Sequence, residues 1–189
     1  MNTGKVQEVN SIKERPQEVS SQRERPKLIN DKCVSSIKER PTFFVEENEL
    51  RAGGVLFYRF NQSKIEVLFI NKNDRFEDIG GKTDPIDKCI EDTVSREVEE
   101  ETNNRITSFH IKKQLEKCEK RAIFYNKSKY VLYFIKANKY ERKLSTEDFS
   151  NKEITDDIAR TLHWIPLSDI STIRLHPRLS LQSILHFFN

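Results

Sequence analysis

The sequence has no run of about eighteen consecutive apolar residues, so no segment is long and apolar enough to cross a bilayer as a helix. Its first thirty residues contain no apolar core of the kind a secretory leader needs. Cysteine is scarce: Cys33, Cys89 and Cys118 are odd in number and have no C-x-x-C spacing, which argues against both a disulfide framework and a zinc site. These absences lead us to expect an intracellular, cytoplasmic protein with no membrane partner. Apolar residues make up only 35% of the 189 positions, below the usual globular share. That length suits one domain of ordinary size, diluted by a polar extension.

The extension is recognisable at the N-terminus. Val9–Pro16 (VNSIKERP) recurs as Val19–Pro26 (VSSQRERP) and as Val34–Pro41 (VSSIKERP). Units with one or two aliphatic residues cannot bury a core, and high charge with few aromatics predicts a flexible, disordered tail over 1–41. The repeats would also suit a protein partner that binds several short motifs at once. Of 33 Lys/Arg and 30 Asp/Glu in the chain, nine and six fall in residues 1–41, leaving 24 of each sign for 42–189. The net charge of +3 therefore sits in the tail, and the domain predicted over 42–189 is electrically balanced, with no overall nucleic-acid footprint.

Most chemical information lies in Gly80–Asn104 (GGKTDPIDKCIEDTVSREVEEETNN). Glu97, Glu100 and Glu101 follow Arg96 at i, i+3, i+4, which places them on one face of a helix. Like charges at that spacing weaken a helix unless a cation joins them. Hard divalent ions such as Mg2+ take carboxylate oxygens and suit that face. Glu99 points away from it. Ile90, Val94 and Val98 recur every four residues and mark a separate core face of a helix predicted over Asp87 to Thr102. Glu91 and Asp92 fall in its first turn, where anions favour the helix dipole. Gly80 and Gly81 allow a tight backbone approach to a ligand.

At these residues the chain resembles the Nudix hydrolases, whose box runs Gly, five residues, Glu, seven residues, Arg-Glu, an aliphatic, any residue, Glu-Glu, any residue, Gly. Gly81 takes the leading glycine, Arg96-Glu97-Val98 the Arg-Glu-aliphatic step, and Glu100-Glu101 the paired glutamates. Three positions depart from the box. Asp87 stands for the first glutamate, eight residues rather than seven separate it from Arg96, and Asn103 replaces the closing glycine. Asparagine tolerates the left-handed conformation that ends a helix. Phe76 before the glycine pair and Trp164-Ile165-Pro166-Leu167 extend the resemblance, which covers about Phe43–Asn189. It implies an α/β/α sandwich around a mixed β-sheet and metal-dependent hydrolysis of a phosphoanhydride bond in a nucleoside diphosphate derivative. It further implies Mg2+ or Mn2+ held by Glu97, Glu100, Glu101 and the carbonyl of Gly81, with Arg96 holding a box glutamate. Lys82 and Arg51 are candidate phosphate contacts. The general base is not identifiable from sequence; Glu147, Asp148, Glu153, Asp156 and Asp157 are candidates. His110, His163, His176 and His186 lack a metal-ligand spacing.

Elsewhere, Ala52–Phe60 and Ile65–Ile70 read as paired strands about a turn, and Asn71–Asp78 as a polar loop. Arg105–Leu115 is expected to contain a strand. Arg121–Tyr125 and Tyr130–Ala137 flank a hairpin turn, Tyr140–Asp157 reads as loop, Thr161–Ile165 as a last strand and Leu179–Phe188 as a C-terminal helix. The aromatic residues of the strands are expected to be mainly core. Three functions compete. The first is a small-nucleotide pyrophosphohydrolase. The second applies the same chemistry to the cap of a messenger RNA, with RNA as partner. The third is a catalytically silent nucleotide-binding module.

Overall fold

A computed structural model describes residues 39–117, 122–149 and 159–189. The repeats, apart from the last residues of the third, lie outside these ranges, as do Glu153, Asp156 and Asp157. No helix of the described residues is long and apolar enough to cross a membrane.

Two short strands, β1 (Phe43–Val45) and β2 (Asn48–Leu50), form a small hairpin at the start. The main sheet is built on β3 (Ala52–Asn61), which pairs with β4 (Lys64–Lys72) through Phe57–Asn61 and with β6 (Ile79–Lys82) through Ala52–Val55. Its other edge pairs in parallel with β8 (Tyr130–Lys136), which in turn pairs with β7 (Ala122–Tyr125). The strands β5 (Arg75–Glu77) and β9 (Thr161–Pro166) add to β4. Among the described residues the sheet has seven strands, and it is mixed, as expected.

Alternation along β3 explains the layers, because successive side chains of a strand face opposite sides. Val55 and Phe57 join Ile90, Val94 and Val98 of α1 (Ile90–Glu101) and Ile111 and Leu115 of α2 (Ser108–Lys117) in one buried cluster. Leu56 joins Val67, Phe69, Leu132 and Ile184 of α3 (Leu181–Phe188) in the other. Helices therefore cover both faces, which is why β3 and β8 read as continuous apolar runs.

Three expectations about secondary structure are corrected. Asn71–Asp78 is a tight hairpin rather than a loop: Asn73 and Asp74 both take positive φ (52° and 57°), the left-handed pair that a two-residue turn requires and asparagine and aspartate tolerate. Arg105–Leu115 carries helix α2 instead of a strand, because Ile111 and Leu115, four residues apart, both enter the core. Helix α1 begins at Ile90, with Asp87 in the preceding loop. Asn103 ends the helix region with φ 52°, and Asn104 follows at 61°.

Candidate active site

The four glycines of β3 and β6 stand opposite one another, Gly53 to Gly81 and Gly54 to Gly80. The side chains above and below explain why no larger residue fits. Towards α1, a β-carbon on Gly53 would strike Val94, and one on Gly81 would strike the carboxylate of Glu97, both closer than 3.0 Å. On the opposite face, a β-carbon on Gly54 would meet the Tyr130 hydroxyl and Asp78, and one on Gly80 would meet the backbone of Gly53 and Gly54. A thin, bare patch of backbone thus lies directly against the acidic face of α1.

Arg96 organises that face. Its guanidinium has five N–H donors and makes five bonds. Nε and Nη2 grip Asp87 (3.2 and 3.1 Å), Nη2 also donates to the Lys82 carbonyl (3.0 Å), and Nη1 donates to Glu97 (2.9 Å) and Glu100 (3.1 Å). Burial works against its charge, but the bonds and charges of Asp87 and Glu97 outweigh it and raise its pKa. Arg96 therefore fixes two box glutamates and the loop ahead of the helix, with no donor left over for a substrate.

Asp87 is the anchor at the other end. Its Oδ2 accepts from the Asp84 N–H and the Thr93 hydroxyl (2.8 Å each) as well as from Arg96. Burial raises the Asp87 pKa, yet the bonds from Arg96, Asp84 and Thr93 prevail and hold it below the ordinary aspartate value.

Glu101 turns to different partners. Its Oε2 accepts the Gly80 N–H (2.7 Å) and its Oε1 pairs with Arg160 (2.8 Å), whose side chain is only 3% exposed. Sequence reasoning missed Arg160: it is 59 positions from Glu101 and has no local pattern to mark it. Behind the glycines, sequence also gave no sign of a second buried network. The Tyr130 hydroxyl donates to Asp78, Arg178 Nε donates to the other oxygen of Asp78 (2.9 Å), and Arg178 stacks over the Tyr130 ring. Burial and the neighbouring Asp78 charge push the Tyr130 hydroxyl pKa well up.

The remaining candidates lie around this centre. Ala52 is the cross-strand partner of Lys82, so Arg51 and Lys82 flank the same end of the sheet. Arg51 is exposed and pairs with Glu49 at 3.5 Å. Its carbonyl accepts from Thr83 N–H. Glu99 lines a cleft of about 420 Å³ between α1 and α2 with Asp92, Phe109 and Lys112, which also reaches Asp87 and Arg96. Of the general-base candidates within the described residues, Asp148 is engaged in a capping box with Ser145. Glu147 sits in the same short turn, and its pKa is lowered by the Ser145 side chain.

Among the described residues, no three carboxylate, histidine or cysteine side chains stand together as a preformed cation site. The reason is visible in the contacts, since guanidinium groups take the places between the carboxylates. Arg96 spans Glu97 and Glu100, and Arg160 holds Glu101. The donor set consists of carboxylate oxygens set against the glycine backbone of β6, and carboxylate oxygens are what hard divalent cations take.

No protein-family model matches the chain, and no curated protein matches it. Solved structures do. An Ap4A hydrolase from C. elegans, in a binary complex, aligns over 74% of this chain and 97% of its own with 23% identity and a TM-score of 0.48. The NUDIX domain of Shewanella oneidensis NrtR, complexed with ADP ribose, aligns over 74% and 88% with 15% identity and a TM-score of 0.42. The M. smegmatis Nudix hydrolase RenU aligns over 74% and 86% with 14% identity and a TM-score of 0.41.

Proposed function

We propose that this chain is a Nudix-type pyrophosphohydrolase that cleaves the phosphoanhydride bond of a nucleoside diphosphate derivative with Mg2+ or Mn2+ as cofactor. The observation that supports this best is the seating of Glu97 against Gly81 while Arg96, locked by Asp87, ties Glu97 to Glu100. A structural acidic helix face has no need of a bare glycine backbone beneath it or of a partly buried arginine clamp.

In this reading Glu97, Glu100 and Glu101, with the Gly81 carbonyl, would hold the cation. Bound there, it would offset phosphate charge and lower the pKa of bound water. The chain supplies the positioning. Arg96 and Asp87 fix the height of Glu97 and Glu100, and the Gly80 N–H with Arg160 fixes Glu101. Lys82 at the end of β6 and Arg51 just before β3, both exposed, would meet phosphate oxygens beside the glycine pair.

The test is a panel of nucleoside diphosphate derivatives incubated with the protein and Mg2+, followed by product analysis, with Glu100→Gln in parallel. Nucleoside monophosphate or phosphate release that requires both the cation and Glu100 supports the reading. Absence of product from every substrate, or product that survives Glu100→Gln, overturns it and leaves a silent binding module. The cap of an RNA contains the same kind of bond and gives a second reading, favoured by the exposed cations at Lys136, Lys139, Arg142 and Lys143. Faster turnover of capped RNA than of free dinucleotides would select it.

A further inference from the structure

We propose that the far end of the sheet carries a binding surface for single-stranded nucleic acid, built from Lys136, Lys139, Arg142 and Lys143 with the exposed rings of Phe60 and Tyr140. The charge balance of the domain conceals this surface, because the acid within the segment is turned inward. Glu141 is only 2% exposed. It accepts from the Asn138 N–H (2.7 Å) and from the Gln114 amide (2.9 and 3.2 Å). The four cations around it are all exposed. Among the described residues none of them has an ion-pair partner, unlike Arg59, which is committed to Glu66 at 2.6 Å.

The surface is held in shape. Arg59 Nη1 donates to the Arg142 carbonyl at 2.8 Å, and its guanidinium stacks 4.2 Å from the centroid of the Trp164 ring. The Asn138 side chain accepts from the N–H groups of Tyr140 and Glu141. The result is a fixed short turn, Glu141–Lys143, beside a cleft of about 300 Å³ lined by Arg59, Phe60, Asn61, Lys139, Arg142 and Lys143.

Two large rings are open: Phe60 in this cleft is 53% exposed, and Tyr140, next to Lys139 in the chain and lining another cleft with Arg105 and His110, is 56% exposed. Lys136 Nζ lies 5.1 Å from the centroid of the Phe60 ring, so one spot offers both a stacking face and a cation. Cations that track a backbone, interleaved with aromatic faces that accept any base, are what single-stranded nucleic acid requires. The surface is distinct from the candidate active site, since Phe60 is seven residues along β3 from Gly53, about 23 Å at the rise of a strand. Binding here does not depend on whether the glutamate face hydrolyses anything.

The experiment titrates the full chain into a labelled short oligouridylate at several salt concentrations, without added divalent cation. The chain should bind, with affinity falling steeply as salt rises. Lys139→Ala/Arg142→Ala/Lys143→Ala should weaken binding at least ~10-fold and flatten the slope of log affinity against log salt by about 2, at about 0.7 per lost phosphate contact. Phe60→Ala/Tyr140→Ala should weaken binding while leaving that slope unchanged. Neither variant should alter the thermal midpoint appreciably. Failure of the unmodified chain to bind at low salt overturns the proposal, and so does undiminished binding by the triple variant, which would place the contact elsewhere. Undiminished binding by the aromatic variant, together with patch-dependent binding to phosphatidylserine vesicles, would overturn it in favour of a membrane surface.

Discussion

The carboxylate of Glu97 lies so close over Gly81 that a β-carbon at position 81 would come within 3.0 Å of it. A β-carbon on Gly80, one residue earlier and on the opposite face, would instead meet the backbone of Gly53 and Gly54 as well as the Tyr130 hydroxyl. These neighbours predict opposite outcomes for two similar substitutions. Gly81→Ala should displace a movable side chain, keep most of the stability and lower turnover by at least ~10-fold through misplacement of Glu97. Gly80→Ala has no such escape and should cost several kcal/mol, on the order of an overpacked core site or more. Thermal melts and initial rates on the same preparations separate the two.

Glu100→Gln and Glu101→Gln should each reduce turnover by orders of magnitude, about the size of losing a principal electrostatic group. Their stabilities should differ. Glu100 is tied to Arg96, whose side chain is 20% exposed, whereas Glu101 is an acidic partner of nearly buried Arg160, so Glu101→Gln should also lower the denaturation midpoint. Glu99→Gln should change neither, since Glu99 faces the cleft between α1 and α2. Steady-state kinetics and urea melts measure both effects.

The folded Asp87 carboxyl titrates below its ordinary value of 3.8, and the sign of the pH effect follows. The unfolded chain takes up the proton first, so the stabilisation is complete above that value and is lost as the pH falls through it towards the lower folded pKa. Asp87→Asn should be less stable near neutrality, and the gap to the unmodified protein should narrow below about pH 4. Urea denaturation at a series of pH values tests this. A gap that stays constant across the acid range would remove the Asp87–Arg96 linkage from the account.

Removing Arg178 should leave Asp78, whose side chain is 0% exposed, without its counter-charge. Breaking a buried pair in this way costs roughly 3–5 kcal/mol, so Arg178→Met should be strongly destabilised. Asp78→Asn/Arg178→Met, which removes both charges, should recover part of the loss. A double-mutant cycle by chemical denaturation reads the coupling directly.

Legibility in the sequence followed the range of the interactions. The acidic face of α1, its aliphatic face and the glycine pair are set within a few residues, so spacing alone revealed them. Helix α2 reads as a strand in sequence because Ile106 to Ile111 is rich in β-branched and aromatic residues, and the four-residue step from Ile111 to Leu115 is its only plain helical mark. The hairpin at Asn73-Asp74 could have been read from that dipeptide. Asp87, an apparent defect in the box, becomes intelligible only through Arg96: an acid one methylene shorter, followed by one extra loop residue, still reaches the guanidinium with both oxygens. Arg160, Asp78 and Arg178 act across 59 to 100 positions, and no local pattern anticipates such pairings. The exposure of Phe60 and the withdrawal of Glu141 are likewise decided by packing, and they turned a neutral composition into a locally cationic surface.

The parallel pairing of β3 with β8 has a consequence for how the molecule is made. Everything between Asn61 and Tyr130, including the glycine pair and the whole glutamate helix, is one excursion between two neighbouring strands. Closing so long a detour is entropically costly and slow compared with forming a hairpin. The hairpin of β3 and β4 can form early, but the centre of the sheet cannot zip shut until this excursion has been laid against it. Assembly of the candidate site and closure of the centre of the sheet are therefore coupled, and a nascent chain should acquire neither before β8 has left the ribosome.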